Sequence, residues 1–349
     1  MTGPGWPDLA VEVTVPATSA NLGPGFDALG LALSLRDVVR ARVIGSGLRI
    51  EVSGPGEASA GHGERHLVVR AMRVAFGVIG RQPPGLALRC ANAIPHGFGL
   101  GSSAAAIVAG ILAARELCGE AGAGRLPGDA VLSLAADLEG HADNVAACLA
   151  GGLTIAWAGD GPARSVRLEP MPGLTPVLCV PPAPLATQAA RAVLPAAVPH
   201  ADAAQNAARA ALLIAALTEL PPDPALLLEA TRDFLHEPYR AESMPQTARL
   251  TGALRSSGVP AVVSGAGPAV LALVVPGAPG GPGAVATVAS AAGGDWAVHV
   301  LDVDRGGASV RSVGSGGSVG SVGSQGSGGS VGLRGSGGSG GSGAETAGR

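Results

Sequence analysis

The sequence feature that most restricts the fold is the glycine-rich segment PHGFGLGSSAA at residues 95–105. It follows a strand-like stretch at residues 86–92 and leads into an apolar stretch at residues 103–117 that predicts a helix. Backbone N–H groups at the start of such a helix lack intrahelical partners, and the positive end of the helix dipole favours anions there. Glycines let the backbone approach a ligand closely. The segment therefore predicts a phosphate site, and an ordinary glycine turn with a Ser cap is the alternative interpretation.

The basic residues exclude several classes of site. All 23 basic residues are Arg, and the sequence contains no Lys. A P-loop requires a Lys after its glycines and Schiff-base chemistry requires a Lys amine, so both are excluded. A dinucleotide-binding fingerprint needs Gly where this chain has Ser102, and the nucleophile-elbow pattern GxSxG is absent from the segment. The net charge of -3 does not favour nucleic acid as a partner.

Two further glycine-rich segments place polar groups beside predicted strands. Residues 16–27 (PATSANLGPGFD) follow an alternating strand and carry Asn21 and Asp27. Residues 263–271 (VSGAGPAVL) join two strand-like stretches, which predicts a hairpin. Each segment is explained by a simple turn, an Asx-turn in the first case and a tight hairpin in the second. Each is also suited to presenting groups to a ligand.

The order of the predicted elements indicates a mixed α+β fold in two lobes, since strands and helices alternate without a strict βαβ rhythm. We expect a single helix over residues 129–150 and, soon after it, a break in composition. The predicted lobes are residues 1–160 and residues 161–304. From residue 305 onwards Gly and Ser dominate, which predicts a disordered tail over residues 305–349.

The chain carries no targeting or membrane signal that we recognise. Its amino terminus lacks a basic region followed by an apolar one, and the apolar run at residues 104–114 is too short to span a bilayer. The four Cys residues are far apart and form no CxxC pair, which indicates reduced, buried thiols. We therefore expect a cytoplasmic protein.

The three glycine-rich segments, in this order, resemble the motifs of the GHMP kinases. PATSANLGPGFDALGLAL begins at residue 16, PHGFGLGSSAA at residue 95 and SGAGPAVLAL at residue 264, and the resemblance covers about residues 10–275. It implies a two-lobed α+β fold with a left-handed βαβ crossover in the first lobe. It also implies that ATP is bound with its phosphates on the second segment. The residues that would bind ATP are Pro95, His96, Gly97, Phe98, Gly99, Leu100, Gly101, Ser102, Ser103, Ala104 and Ala105.

Other stretches resemble the homoserine kinase family within this superfamily. They are the SANLGPGFD form of the first motif, EGHADNV at residues 139–145, TQAARAVLP at residues 187–195 and EPYR at residues 237–240. The resemblance implies L-homoserine as the substrate, whose carboxylate suits Arg and whose ammonium suits Asp. The implied substrate-binding residues are Asn21, Asp27, His141, Asp143, Thr187, Arg191 and Arg240.

The resemblance also implies a mechanism of phosphoryl transfer. Ser103 and Glu139 would bind Mg²⁺, while backbone amides of the second segment would hold the β- and γ-phosphates. Asp143 and Asn144 would be the catalytic residues. Either Asp143 is a general base, or both residues only hold the substrate hydroxyl; we favour the second interpretation. The Asp–Lys dyad of mevalonate-type relatives cannot exist in a chain without Lys.

Two positions depart from the family pattern. His66 stands where the family often has Asn, near the expected adenine pocket, and equating Glu139 with the family's Glu assumes a deletion. The alternative functions are a GHMP kinase for another small alcohol and a non-catalytic binding protein with this fold. We expect a homodimer, as in many relatives, with no nucleic-acid or membrane partner.

Overall fold

The structure is a computed structural model that describes residues 5–57, 63–275 and 283–314. The first half of the chain forms β1 (Leu9–Leu22), β2 (Gly25–Val43), β3 (Gly47–Ser53), α1 (Leu67–Ile79), β4 (Gly85–Ala91), α2 (Ser102–Leu117), α3 (Glu120–Arg125), α4 (Gly128–Glu139), α5 (Asp143–Ala150), β5 (Leu153–Trp157) and β6 (Arg164–Leu168). The second half forms β7 (Thr175–Val180), α6 (Thr187–Ala192), α7 (His200–Thr218), α8 (Pro224–Ala230), α9 (Glu237–Arg240), α10 (Pro245–Ser256), β8 (Ala261–Val263), β9 (Val270–Val274), α11 (Ala284–Ala292), β10 (Ala297–Val300) and β11 (Ser309–Gly314).

The larger sheet, which has seven strands within the described ranges, is built around the long hairpin of β1 and β2. β11 pairs with the outer side of β1, and β4 followed by β3 continues the sheet from the carboxyl-terminal half of β2. β5 and β6 extend it from the other half of β2. β3 and β4 are parallel and are joined through α1, which is the βαβ unit that the resemblance implies.

The hydrophobic core is centred on α2, which contacts α1, α4, α5 and the β1–β2 hairpin. A helix with apolar side chains on nearly all sides is stable only when neighbours surround it, as they do here. Gly110 lets α1 and α2 approach closely, because a Cβ there would lie 2.5 Å from Val68 O. The apolar residues of α1 recur at helical spacing, and the helix is followed by Gly80, which has a φ of 76°.

The smaller sheet is antiparallel, with the strand order β10-β7-β9-β8. Helices α10 and α11 pack against it through a separate cluster that includes Leu254, Val270 and Val288. The hairpin predicted from the third glycine-rich segment is confirmed as β8 and β9. Two sheets with helices packed against them confirm the predicted α+β class.

The single helix predicted over residues 129–150 is wrong, because the chain forms two helices there. α4 ends at Glu139, where Gly140 adopts a left-handed φ of 90° and donates its N–H to Ala136 O at 2.8 Å. α5 begins three residues later, at Asp143. Gly140 is the physical reason, since the left-handed conformation that ends a helix costs Gly little.

The predicted start of the tail at residue 305 is also wrong. Residues 309–314 form β11, which pairs with β1 from Leu9 to Thr14, and Arg311 forms an ion pair with the buried Glu12. The rest of the predicted tail, residues 315–349, lies outside the described residues. The division into lobes near residue 160 stays a prediction; β6, which follows it, belongs to the larger sheet.

The first glycine-rich segment is more ordered than a turn that follows a strand. β1 continues to Leu22, and only Gly23 and Pro24 separate it from β2. Asn21 and Asp27 flank this turn with positive φ values of 48° and 51°, a conformation that Asn and Asp tolerate better than most residues. The hairpin therefore presents both side chains from a fixed backbone.

All four Cys residues are free and buried, which confirms the expectation from their spacing. Burial raises the pKa of the Cys90 thiol to about 12, so this side chain is chemically inert at neutral pH. Within the described part of the chain, every helix is too short or too polar to cross a membrane.

Phe76 provides a test of the core. Its side chain is fully buried on α1 and meets Trp6 edge-to-face at a centroid distance of 5.7 Å. Phe76→Ala should lower the free energy of unfolding by about 3–5 kcal/mol, because it removes apolar contacts and leaves a cavity. Val78 on the same helix is 48% exposed, so Val78→Ala should change that energy by less than about 0.5 kcal/mol. Urea denaturation measures both values, and equal effects would contradict this packing.

Candidate active site

The three glycine-rich segments meet at the amino-terminal end of α2. Thr18 donates its backbone N–H to Leu100 O at 3.1 Å. The Ser264 hydroxyl lies 2.9 Å from Ser19 Oγ and 2.8 Å from Gly99 O. These residues come from distant parts of the chain and are buried together. The segments therefore form one polar junction, which we call the glycine junction (residues 18–20, 99–101 and 264–267).

Packing within the glycine junction requires Gly99 and Gly101. Their φ values are 75° and 66°, and a Cβ on Gly99 would lie 2.0 Å from Ser264 O. A Cβ on Gly101 would lie 2.0 Å from Thr18 Oγ1 and 2.8 Å from Asn144 Oδ1. The sequence-based explanation, close approach to phosphate oxygens, was therefore incomplete. These glycines also let the three segments touch.

Helix α2 begins at Ser102 with an open end. Gly101 is its N-cap, and no side chain of the described residues caps it. The Ser cap of the alternative interpretation is therefore not formed among the described residues, and Ser103 Oγ instead donates a hydrogen bond to Glu139 Oε1. The free N–H groups of the first turn and the positive end of the dipole suit an anion.

A cavity of about 190 Å³ opens in front of this helix end. Its wall combines residues that the sequence assigned to phosphate, metal and substrate, and it draws on segments from Asn21 to Ala266. The lining residues include Asn21, Gly97, Ser103, Glu139, His141 and Arg191. The predicted site residues from four separate segments thus border one space.

The break between α4 and α5 places a hydrogen-bonded His–Asp pair at the cavity. His141 Nδ1 lies 2.8 Å from Asp143 Oδ1, which also accepts the Asn144 N–H at 2.8 Å. Asp143 is fully buried, and among the described residues its Oδ2 has no hydrogen-bond partner. One carboxylate oxygen is thus committed to the protein, and the other is buried without a hydrogen-bond partner among the described residues.

Opposing effects set the proton affinities of this cluster. Burial raises the pKa of Glu139, although the Ser103 hydrogen bond and the charge of His141 oppose the shift. Burial lowers the pKa of His141, but the hydrogen bond and charge of Asp143, together with the charge of Glu139, outweigh it. The pKa of His141 is therefore raised above its usual 6.5.

Ser103 and Glu139 fit Mg²⁺ as a partial ligand set. They provide a hydroxyl and a carboxylate oxygen, which are the hard donors that Mg²⁺ prefers. Across residues 5–57, 63–275 and 283–314, no group of three or more His, Cys, Asp or Glu side chains is placed to hold a metal ion. Two oxygens of this kind leave the other coordination positions of Mg²⁺ to phosphate oxygens and water.

Arg191 lines the same cavity and forms an ion pair with Asp27, and we call these two residues the charged wall. Arg191 Nη2 lies 2.6 Å from Asp27 Oδ1, and Nη1 lies 3.3 Å from Oδ2, which is a bidentate ion pair. Asn21 Oδ1 accepts the Asp27 N–H at 2.8 Å. The Arg191 side chain is 34% exposed, and the Asp27 side chain is 40% exposed. The sequence assigned them to the substrate separately, and the structure pairs them with each other.

Arg240 is completely buried behind Gly265, a residue of the cavity wall. Its Nε donates to Ala190 O at 3.0 Å and its Nη1 lies 3.1 Å from His236 Nδ1, while among the described residues Nη2 has no partner. Burial, together with the charge of Arg191, lowers the pKa of Arg240 to about 10, so it remains a cation at neutral pH. Thr187 is the first residue of α6, and its side chain lies outside the described part.

A second cavity, of about 250 Å³, adjoins the other side of the α2 terminus and shares Ser103 with the first. Val39 and Val68 supply apolar walls, while His66 and Asp37 supply polar groups. An apolar slot beside an anion site suits a flat heteroaromatic base. His66, which the resemblance places near the expected adenine pocket, lines this cavity.

Sequence reasoning missed Thr18 and Asp37. Thr18 Oγ1 donates to Asn144 Oδ1 at 2.8 Å. Asp37 Oδ1 accepts the N–H groups of Ala93 and Ile94 at 2.6 and 2.9 Å, which fixes the entry to the glycine loop. An acidic residue directly before the β-branched pair Val38 and Val39 was the available signal for Asp37. Thr18 gave no such signal, since Thr is common in strands.

The raised pKa of His141 predicts a pH-dependent stability. A proton bound more tightly in the folded state stabilises the protein below pH 6.5, and this contribution is lost as pH rises through the folded-state pKa. The difference in Tm between the wild type and His141→Asn should therefore be largest below pH 6.5 and shrink above it. Thermal denaturation at a series of pH values measures this, with exposed His200→Asn as the control. A difference that grows with pH would contradict the assignment.

Two parts of the chain match known family descriptions. Residues 66–152 match "GHMP kinases N terminal domain" and residues 213–291 match "GHMP kinases C terminal". The first match contains the glycine loop, α2 and the α4–α5 break, and the second contains α9 and the third glycine-rich segment. The glycine loop, Glu139, His141 and Arg240 therefore lie in matched regions, whereas Asn21, Asp27 and Arg191 lie outside them.

Similar proteins share nearly the full length of the fold. The homoserine kinase of Streptomyces coelicolor is 53% identical over 312 residues, which span 89% of this chain and 97% of that relative. The crystal structure of a homoserine kinase from Cytophaga hutchinsonii aligns with a TM-score of 0.75 and 27% identity, covering 89% of this chain and 100% of that one. A putative homoserine kinase from Listeria monocytogenes aligns with a TM-score of 0.67 and 29% identity, covering 86% and 99%. This chain belongs to the homoserine kinase family of the GHMP kinases.

Proposed function

We propose that this protein transfers the γ-phosphoryl group of ATP to the hydroxyl of L-homoserine, which yields O-phospho-L-homoserine and ADP in threonine biosynthesis. One observation carries the proposal: the open end of α2, the Ser103–Glu139 pair and Arg191, which forms an ion pair with Asp27, border the same cavity. A polyphosphate, a divalent cation and a zwitterion each find a matching group there. The identity with homoserine kinases over nearly their whole length supports the same conclusion.

ATP binding is assigned to the two cavities that meet at Ser103. The adenine base occupies the cavity beside His66, and the phosphates lie against the backbone of residues 95–105. Free N–H groups of the first turn of α2 donate to phosphate oxygens, and the helix dipole favours their charge. A P-loop Lys is unnecessary when backbone groups and a metal ion neutralise the phosphates.

Magnesium is assigned to Ser103 Oγ and the Glu139 carboxylate, with phosphate oxygens and water as the remaining ligands. The ion supplies charge neutralisation between the β- and γ-phosphates. Burial raises the pKa of Glu139, and a bound cation would favour its ionised form. Ser103 lies in the first turn of α2, two residues after Gly101, and Glu139 is the last residue of α4. Packing of α4 against α2 brings the two oxygens together.

L-Homoserine is assigned to the charged wall. Its ammonium binds Asp27 beside Asn21, and its carboxylate binds Arg191, so the zwitterion replaces the internal ion pair without leaving either charge unmatched. Thr187 and Arg240 complete the proposed set. The unpartnered Nη2 of Arg240, among the described residues, supports a role for its charge near the carboxylate.

In the chemical step, the homoserine hydroxyl oxygen bonds to the γ-phosphorus as the bond to the β–γ bridging oxygen breaks and ADP leaves. Asp143 Oδ2 and Asn144 hold the hydroxyl, while His141 and the Asn144 N–H occupy Asp143 Oδ1. Because the transition state of phosphoryl transfer is loose, the hydroxyl proton leaves late and a strong base is not required.

The cytoplasmic location, the homodimer and the division into lobes at residues 1–160 and 161–304 belong to the same proposal. They follow from the resemblance to the family and from composition.

A substrate panel tests the proposed activity. Purified protein with MgATP should release ADP rapidly with L-homoserine and slowly or not at all with mevalonate, galactose or shikimate, because only homoserine carries both charges of the wall. A coupled assay for ADP measures the rates. Turnover of another alcohol without turnover of homoserine would replace the proposed substrate, and the absence of ATP turnover with all four would contradict the kinase assignment.

Ser103→Ala tests the metal assignment. Loss of one oxygen ligand should lower kcat/KM by at least about tenfold and raise the Mg²⁺ concentration needed for half-maximal rate, since charge neutralisation in the transition state is weakened. Ser257→Ala is the control, because this exposed hydroxyl bonds only to Ala253 O within α10. Full turnover with an unchanged Mg²⁺ dependence in Ser103→Ala would remove Ser103 from the metal site.

A further inference from the structure

His236 lies at the N-cap of the short helix α9 and is fully buried. Its Nε2 lies 2.9 Å from Gly23 O in the β1–β2 turn, and its Nδ1 lies 3.1 Å from Arg240 Nη1. The Phe26 ring stacks on the imidazole at a centroid distance of 5.4 Å. Both ring nitrogens are therefore committed, and they bond to two different parts of the fold.

The partners of His236 specify one tautomer. The Gly23 carbonyl only accepts hydrogen bonds, so Nε2 carries the proton. The Arg240 guanidinium only donates, so Nδ1 presents its lone pair. An Asn side chain reaches about as far as Nδ1 and a Gln side chain about as far as Nε2. Neither of them makes both bonds at once.

Arg240 extends the hydrogen-bonded path from His236 to two further backbone segments. Its Nε donates to Ala190 O, and its Nη1 lies 3.5 Å from Gly265 O in the glycine junction. Ala190 immediately precedes Arg191 on α6, so the carbonyl that Arg240 holds belongs to the backbone beside Arg191. A buried cation that uses backbone carbonyls in this way fixes the segments that supply them.

Gly23 is the opposite end of this hydrogen-bonded path. It lies in the turn between Asn21 and Asp27, the two residues whose positive φ values shape the hairpin tip. A Cβ on Gly23 would also lie 3.1 Å from Thr231 O, so the turn is packed closely against the segment that leads to α9. The path from Gly23 through His236 and Arg240 to Ala190 thus joins the two backbones that carry Asp27 and Arg191.

Helix α9 itself is anchored independently of this path. Asp233 Oδ2 accepts the N–H groups of His236 and Glu237 at 2.8 and 2.7 Å. Glu237 Oε1 accepts the Val263 N–H at 3.1 Å, and Glu237 forms an ion pair with Arg255. The backbone of α9 is therefore held in place without the imidazole. The side chain of His236 adds a specific connection to an already fixed helix.

We propose that His236 is a positioning residue for the amino-acid end of the substrate. By bonding to Gly23 and Arg240 together, it sets the spacing between the Asp27 carboxylate and the Arg191 guanidinium. The inference rests on the proposed function, since it takes the substrate to be a zwitterion held between these two charges. None of the described hydrogen bonds of His236 reaches α2, so its effect should be confined to the substrate and spare the nucleotide.

Three variants of the full chain test this role by steady-state kinetics. His236→Leu removes both hydrogen bonds and should raise KM for L-homoserine by about tenfold, with KM for ATP changed less than about twofold. His236→Asn and His236→Gln each retain one bond and should give intermediate values of KM for homoserine. His299→Asn, at an exposed position on β10, is the matched control and should leave every constant unchanged.

Nitrogen NMR of the wild-type histidine side chains provides a second measurement that does not need His236→Leu to fold, since the conservative variant His236→Asn serves only to identify the signal. Among the histidine signals, the one lost in His236→Asn should show a protonated Nε2 and a lone pair on Nδ1. The reverse tautomer, or a mixture of both, would overturn the proposal even if His236→Leu failed to fold.

The outcomes separate this inference from the proposed function. Wild-type turnover of homoserine with an unchanged KM in His236→Leu would overturn the positioning role and leave the proposed function standing. Equal increases in KM for ATP and homoserine, or a lower Tm with unchanged kinetic constants, would reduce His236 to a structural residue. Absence of homoserine turnover in the wild type would instead contradict the proposed function itself.

Discussion

The site depends on three stretches of bare backbone that pack against one another at the amino-terminal end of α2. Gly99, Gly101 and Gly265 lie where a Cβ would collide with a neighbouring segment. Because no side chain intervenes, the Ser264 hydroxyl reaches both Ser19 and Gly99 O. The same glycines leave the helix end open to an anion. Close packing of the three segments and binding of an anion therefore both favour glycine at these positions.

The charges around the glycine junction are arranged as pairs, which limits the cost of removing them from water. His141 pairs with the buried Asp143, and Arg191 pairs with Asp27 across the hairpin and α6. A ligand with one charge would leave half of the second pair unmatched. A zwitterion replaces both halves, so the internal ion pair itself favours an amino-acid substrate. The buried Arg240 adds a cation that is held by carbonyls and the imidazole of His236, not by a carboxylate.

Much of the fold was predictable, because the signals that predicted it are local. An apolar stretch after the glycines predicted α2, a strand-like stretch predicted β4, and the third glycine-rich segment predicted the β8–β9 hairpin, all close to their observed bounds. The errors lie where distant contacts decide. β11 exists because β1, at the other end of the chain, offers an unpaired edge to it. The break between α4 and α5 came from one glycine within an otherwise helical pattern, which composition alone does not mark as an end.

The sequence by itself determined the chemistry available to this protein. The sequence contains glycines before a predicted helix and Ser, Glu, Asp and Arg residues in the order of the family's motifs. It contains no Lys. Only the tertiary structure decided which of these groups meet: Ser103 with Glu139, Arg191 with Asp27, and His236 with Arg240. The physical reason is that residue identity and local backbone freedom are properties of short stretches of chain. Distances between side chains from separate segments are set by how the helices and sheets pack, and no short stretch contains that information.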